Sequence, residues 1–277
     1  MIALITSIIW DIDPSVIPSL QFPRWYSLMW LFGVVLGYQV ILKIYKHEGM
    51  QEDELHKLAI TIMIFAVLGA RLGHVFFYDW AYYSQNPIEI LPIQLEPSFK
   101  FTGFTGLASH GGVIGALIGL YWYNRKRKLH YGWLLDRLTI GGALLGGFIR
   151  LGNLMNSEII GKASDLPWAF TFVKVDQVPR HPAQLYEAIF YFLIGWLLYR
   201  LWKKNGNGLG QGFICGLGLT LIFLQRFLVE FLKENQVAFE DALTLNMGQI
   251  LSIPVIILGL VIMWRVKKPA SDQELLS

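Results

Sequence analysis

The chain has 277 residues, of which 54% are hydrophobic and only 16% charged, with a mean hydropathy of +0.46. A soluble globular domain carries roughly 45–50% apolar and about 25% charged residues, so this balance excludes a disordered chain, a coiled coil and an ordinary cytosolic enzyme, and points to a polytopic membrane protein. The single cysteine, Cys215, excludes an internal disulfide framework, no Cys/His spacing suggests a metal site, and the net charge of +3 informs only once its charges are placed along the chain.

In chain order, Met1–Trp10 is apolar but short and lacks a basic leading region, so it is expected to be an interfacial helix rather than a cleaved signal peptide. Asp11–Pro23, with three prolines, reads as a loop. A helix needs about 20 mainly apolar residues to cross a bilayer. Seven stretches meet this, at about 25–44, 58–78, 106–123, 134–155, 183–202, 211–232 and 247–265. The expected fold is therefore all-α, one integral membrane domain over residues 1–277 with seven transmembrane helices. Ten Trp, 12 Tyr and 18 Phe fit aromatic belts at both interfaces.

The basic residues sort the connections. Lys43, Lys46 and Lys57, then Arg125–Lys128 with Arg137, then Arg200, Lys203 and Lys204, then Arg265, Lys267 and Lys268 put fourteen on one side. Arg24, Lys100, Lys162, Lys174, Arg180 and Lys233 put six on the other. The richer side is expected to be cytoplasmic, with the N-terminus outside and the C-terminus inside. Topology alone accounts for these clusters, and nucleic acid is not called for. The two largest connections, 79–105 and 156–182, fall outside, and loops that long usually carry function or their own small structure. No internal repeat is evident.

Arg71, Arg150 and Arg226 remain, inside the second, fourth and sixth spans. A charge in the hydrocarbon costs ~2.5–3.5 kcal/mol even on the lenient insertion scale, so each invites a functional account. All three fall past the midpoint of spans running outward, at comparable depth in the outer half. The third span opens Ser109-His110-Gly111-Gly112, and Gly111, Gly115 and Gly119 recur on one face, where small residues let helix backbones approach closely. His110 stands at the mouth of that face, a candidate for catalysis or binding. In the fourth span Arg150 and Asn153 share a face, followed by Asn156-Ser157-Glu158 and Gly161. An arginine, two amides and a carboxylate suit a phosphoryl ester with nearby hydroxyls; a buried Arg150–Glu158 ion pair holding the loop is the alternative. The fifth span opens His181-Pro182-Ala183-Gln184-Leu185-Tyr186-Glu187, a polar face that is either a site or interhelical glue. Arg226 and Glu230 are spaced to neutralise one another, and Asp79 or Glu96 is in reach of Arg71.

No Walker loop or His-Glu-x-x-His motif occurs, and adjacent Ser109 and His110 have the wrong geometry for a serine–histidine relay. The residues alone therefore predict an anionic, phosphorylated amphiphile meeting two or three arginines and a histidine in the outer leaflet. A transporter for an anionic solute, with the arginines lining a pathway, competes; a one-sided site and absent repeat symmetry tell against it. A purely structural scaffold leaves the buried charges unexplained.

From Trp25-Tyr26 to Met247–Pro254 the chain resembles the bacterial prolipoprotein diacylglyceryl transferase family. The motifs occur in the family's order: Gly69-Ala70-Arg71-Leu72-Gly73, His110-Gly111-Gly112, Arg150–Glu158 to Gly161, Arg180–Glu187 and Arg226–Phe231. Two positions depart, Ile222 where the family often has a tyrosine and Lys233 near where it often has a second arginine. The resemblance implies transfer of the diacylglyceryl group of phosphatidylglycerol to the thiol of the lipobox cysteine of a prolipoprotein, giving a thioether and glycerol 1-phosphate. It implies the bacterial cytoplasmic membrane, a site toward the periplasmic leaflet, and no metal or organic cofactor. His110 is then the candidate base, and Arg150 and Arg226 stabilise the leaving phosphate. Asn153, Glu158, Gly161 and Tyr26 shape the headgroup pocket, with Glu230, His181 and Gln184 also binding substrate.

Overall fold

The computed structural model describes residues 7–91, 93–94, 99–101, 106–206, 208–235, 240 and 243–266. Seven long helices occur among them: α1 (Trp25–His47), α2 (Glu52–Phe77), α4 (Ser109–Arg127), α5 (Tyr131–Met155), α6 (Ala183–Asn205), α7 (Phe213–Val229) and α8 (Met247–Arg265), with a short α3 (Trp80–Tyr83) after α2. Their positions follow the seven hydrophobic stretches. Five of them, α1, α2, α5, α7 (extended by a 3-10 turn to Leu232) and α8, are long and apolar enough to cross a membrane. The other two are more polar, with Arg125–Arg127 in the last turn of α4, and Gln184 and Glu187 at the start of α6 and Lys203 and Lys204 at its end. The chain forms two compact units, residues 45–129 and the remainder.

In the smaller unit, α2 and α4 pack through glycines. A Cβ on Gly69, Gly111 or Gly115 would run into backbone atoms of the facing helix, and one on Gly73 would meet Gly111. The expected packing face of α4 is thus real, and its partner is the Gly69/Gly73 face of α2. Arg71 folds the connection beyond α2: its Nε donates to the Ile90 carbonyl at 2.8 Å, its terminal nitrogens to the Glu89 and Gly106 carbonyls, and its guanidinium lies 4.8 Å from the Tyr83 ring centroid. Asp79 stands near His74 (3.9 Å) rather than pairing with Arg71. Glu96 lies outside the described residues.

In the larger unit, Ile44, Ile140, Ile194, Leu198, Trp202 and Ile214 bury a core between α1, α5, α6 and α7. The α7–α8 seam closes on Gly216 and Gly259, each set against the other's carbonyl. The Asp136 carboxylate of α5 accepts the backbone N–H groups of Gly212 (2.8 Å) and Cys215 (2.7 Å), capping the start of α7 from another helix. Arg137, expected among the cytoplasmic surface charges, is instead 1% exposed, stacked 4.6 Å from the Trp133 ring. At α8, Asn246 and Gln249 form a reciprocal capping box.

The connection after α5 is roofed by a small sheet. Apart from a two-residue antiparallel pair in the smaller unit (β2, Ile93–Gln94, and β3, Lys100–Phe101), the strands belong to this sheet: Ile8–Trp10 (β1), expected as part of an interfacial helix, is a strand parallel to Phe170–Phe172 (β4), which pairs antiparallel with Pro179–Arg180 (β5). An extended conformation suits Ile8 and Ile9 because β4 supplies the backbone partners that a lone helix end lacks. Trp10 seals the joint, donating from Nε1 to the Leu154 carbonyl at 3.0 Å and packing with Leu154, Phe170 and Phe172. Arg180 then ties three segments, bidentate to Asp176 and 2.7 Å from Glu234 Oε1, with a further bond to the Gly161 carbonyl.

Two outcomes follow for stability. Gly115→Leu should lower the Tm of the solubilised protein, by the roughly 1–3 kcal/mol or more of an overpacked contact, while Gly142→Ala, which meets open space, should hold or raise it. The Arg180 guanidinium holds the Asp176 carboxyl below its ordinary value, so this tie contributes fully above about pH 4 and is lost as pH falls through the folded value. Amide exchange across 160–181 should therefore be flat from pH 5 to 7 after correction for intrinsic rates, and rise below pH 4 in the native chain; Asp176→Asn should show the faster exchange throughout and no acid step.

Candidate functional site

Charged side chains from α5, α6, α7 and the turn after it meet near the ends that face the small sheet. Arg150, five residues before the end of α5, forms an ion pair with Glu187 of α6, its Nε 3.1 Å from Oε2 but not aligned to donate a hydrogen bond to it. Glu187 is 0% exposed, and its second oxygen accepts from Lys233 Nζ at 2.9 Å. Lys233, itself 2% exposed, also donates to Glu230 Oε1 at 2.9 Å. Glu230 stands in turn beside Arg226, with Nε 3.9 Å from Oε1, and its other oxygen accepts from Asn246 Nδ2 at 3.2 Å. The result is a continuous line of alternating charge, Arg150, Glu187, Lys233, Glu230, Arg226, crossing three helices. Such burial is tolerated only because each charge has an opposite neighbour.

The two arginines are not equally committed. Arg150 has 13% of its side chain exposed, donates to Asn153 Oδ1 at 3.4 Å and has the Tyr191 hydroxyl in reach. Arg226 is 33% exposed, and its only ion pair among the described residues lies beyond hydrogen-bond distance. Its guanidinium is the least neutralised cation of the line.

Beside this line, residues 156–161 present a polar loop. Glu158 does not pair with Arg150 as one reading expected. Its carboxylate accepts from the Asn153 and Asn156 amides, at 3.1 Å each, and its carbonyl accepts from Gln184 Nε2. Arg150 takes Glu187 because Glu187 lies on the facing helix, whereas Glu158 lies beyond the end of α5. Ser157 and Ile159 both hold positive φ (55° and 56°), flanking Glu158. Gly161 sits where three segments touch: its N–H bonds to the His181 carbonyl, it bridges to Lys233, and a Cβ there would strike His181. His181 faces the Tyr186 hydroxyl at 3.3 Å, and burial pushes its imidazole below the ordinary value, favouring the neutral form. Tyr26, at the start of α1, lays its ring against Gly152.

Arg150, Asn153, Glu158, Gly161, His181, Gln184, Arg226, Glu230 and Tyr26 thus all fall in the larger unit, within one neighbourhood around the C-terminal ends of α5 and α7 and the N-terminal end of α6. His110 belongs to the smaller unit, exposed in the first turn of α4, and Arg71 is occupied there by backbone carbonyls. Sequence reasoning missed two members. Lys233 reads as one more surface charge, and Glu187 as the tail of a polar stripe. The signal that would have found them is a Glu230–Lys233 pair at i, i+3 next to an apolar span, and an acid recurring inside another. Among the described residues, no cluster of His, Cys, Asp and Glu is arranged to hold a metal ion.

Comparison with known proteins places this geometry. The phosphatidylglycerol–prolipoprotein diacylglyceryl transferase of Bacteroides fragilis is 46% identical over 265 residues, covering 94% of this chain and 96% of its own. Its namesake from Tolumonas auensis is 43% identical over 256 residues, covering 92% and 95%. That of Chloroherpeton thalassium is 42% identical over 270 residues, covering 96% and 97%. The family model for prolipoprotein diacylglyceryl transferase matches residues 16–265, so nearly every helix described above lies inside the match, and the chain belongs to the prolipoprotein diacylglyceryl transferase family.

Proposed function

We propose that the protein transfers the diacylglyceryl group of phosphatidylglycerol to the thiol of a prolipoprotein's lipobox cysteine, releasing glycerol 1-phosphate, in the bacterial cytoplasmic membrane. Seven spans with the N-terminus outside and the C-terminus inside put the site in the periplasmic leaflet. The observation that carries the reading is Arg226, a one-third-exposed guanidinium with no hydrogen bond to any described residue, at the opposite end of the charge line from the better-anchored Arg150.

The chemistry asks for this arrangement. The nucleophile arrives with the peptide, so the chain needs no reactive cysteine, and Cys215 lies buried in the first turn of α7. A thiol of pKa about 8.5 is mostly protonated at pH 7. His110 takes its proton, and the sulfur attacks the glyceryl carbon of the lipid. A carbon–sulfur bond forms, the carbon–oxygen bond to phosphate breaks, and the electron pair leaves on the phosphate oxygen. The leaving group starts as a phosphodiester monoanion and departs as a phosphomonoester, so its negative charge grows along the reaction. Arg150 and Arg226 favour that developing charge over the ground state, most strongly where the helices exclude water. Asn153 and Glu158 carry donors and acceptors for the glycerol hydroxyls of the headgroup, Gln184, fully buried, holds the Glu158 carbonyl rather than touching the lipid, and Gly161 and Tyr26 shape the walls. Glu230 and His181 border the same lipid.

The test is purified protein with phosphatidylglycerol and a lipobox peptide, the thioether product measured by mass. Arg150→Ala should insert and fold yet lose about 10²–10³ in turnover, and Arg150→Lys should recover only part of it, because an ammonium lacks the bidentate fork. His110→Gln should lose roughly 10²–10⁴ in turnover while the protein still binds phosphatidylglycerol. Flux of an anionic solute without peptide modification would replace this reading with transport.

A further inference from the structure

We infer that Lys233 is a positioning residue that keeps Arg226 available to an anionic ligand, by holding the Glu230 carboxylate away from it. The inference rests on the phosphate-binding reading of Arg226. It begins from an asymmetry of distances. Glu230 Oε1 lies 2.9 Å from Lys233 Nζ but 3.9 Å from Arg226 Nε, although Arg226 is one helical turn away, at the spacing that favours a close pair. Glu230 Oε2 is occupied by Asn246 Nδ2 at 3.2 Å. Both carboxylate oxygens are therefore drawn to partners other than the arginine.

The ammonium has a second task in the same place. Glu187 Oε1 is also 2.9 Å from Nζ, so one buried cation separates two buried carboxylates that would otherwise repel. Lys233 is fixed there by more than charge. Its backbone bridges to Gly161, where no side chain fits, and its N–H bonds to the Glu230 carbonyl. A side chain that is 2% exposed cannot be binding a ligand directly, and its contacts run to carboxylates rather than into open space. Removing the ammonium frees Glu230 Oε1, and the nearest remaining cation is Arg226. The carboxylate then closes the gap of 3.9 Å, and the guanidinium becomes neutralised before any phosphate reaches it.

The experiment compares Lys233→Met, Lys233→Arg and the double variant Lys233→Met/Glu230→Gln with the native chain. Phosphatidylglycerol binding is read by native mass spectrometry, and KM and kcat for the lipid are read in the peptide assay. Lys233→Met is expected to weaken lipid binding and raise KM at least tenfold. Lys233→Arg, which keeps a buried cation, should stay within about threefold of native. The double variant should bind more tightly than Lys233→Met, because the carboxylate that would trap Arg226 has lost its charge; a residue that mattered only for packing would leave the double variant equal or worse. Native KM in folded Lys233→Met, or a double variant no better than the single, overturns the inference. Should Lys233→Met fail to fold, loss of lipid binding in folded Lys233→Arg, or binding by the double variant more than tenfold weaker than native, overturns it. A native chain that forms no thioether overturns the functional reading instead and leaves the lipid-binding comparison to judge Lys233.

Discussion

A carboxylate with no exposed surface, Glu187, sits among apolar helices with a cation beside each oxygen, hydrogen-bonded to one and within ion-pair distance of the other. Arg150 answers from α5 and Lys233 from the turn after α7, so the spacing of three helices is set by the geometry of one side chain. The attraction is large because the surroundings screen poorly, and the cost of leaving any member alone is large for the same reason. The line is therefore closer to a single unit than to four separate pairs, and it fixes where the ends of α5, α6 and α7 beside the small sheet can stand. The polar loop at 156–161 and the capping box at Asn246 are both fastened to members of that line, through Asn153 and through Glu230.

Close backbone approach is the second organising constraint. In each unit the helices meet where glycine removes the side chain, at Gly69 against Gly111 and at Gly216 against Gly259. In an apolar environment such contacts replace the hydrophobic drive that water would otherwise provide. At the other end of α5 from Arg150, Asp136 satisfies the opening N–H groups of α7, so these two helices are joined at both ends by polar side chains and along their length by apolar ones.

Much of this was legible in the residues. The seven hydrophobic stretches correspond to the seven long helices because length and apolarity are properties of contiguous sequence. Arg150, Asn153 and Glu158 were marked by the oddity of charge and amide beside an apolar span. What could not be read was partnership. Glu158 is closer to Arg150 in sequence than Glu187, yet Glu187 takes the ion pair because it lies on the facing helix. Lys233 looks like any exposed lysine until the fold closes around it. The strand at Ile8–Trp10 was equally hidden, since three apolar residues adopt whatever conformation finds partners, and these partners lie some 160 residues away at Phe170–Phe172. Membership of a family adds the substrates' chemistry, which no spacing of residues in this chain encodes.

The backbone around Glu158 has a bearing on how this protein tolerates change. Ser157 and Ile159 both occupy the left-handed region, and for a β-branched residue that conformation is costly, on the order of 1–3 kcal/mol. Replacing Ile159 with glycine would relax the conformation, yet it would also loosen the segment that aims the Glu158 side chain. A laboratory or natural search for heat resistance would thus be drawn to position 159 and away from turnover by the same substitution, a trade-off between durability and activity lodged in one peptide unit.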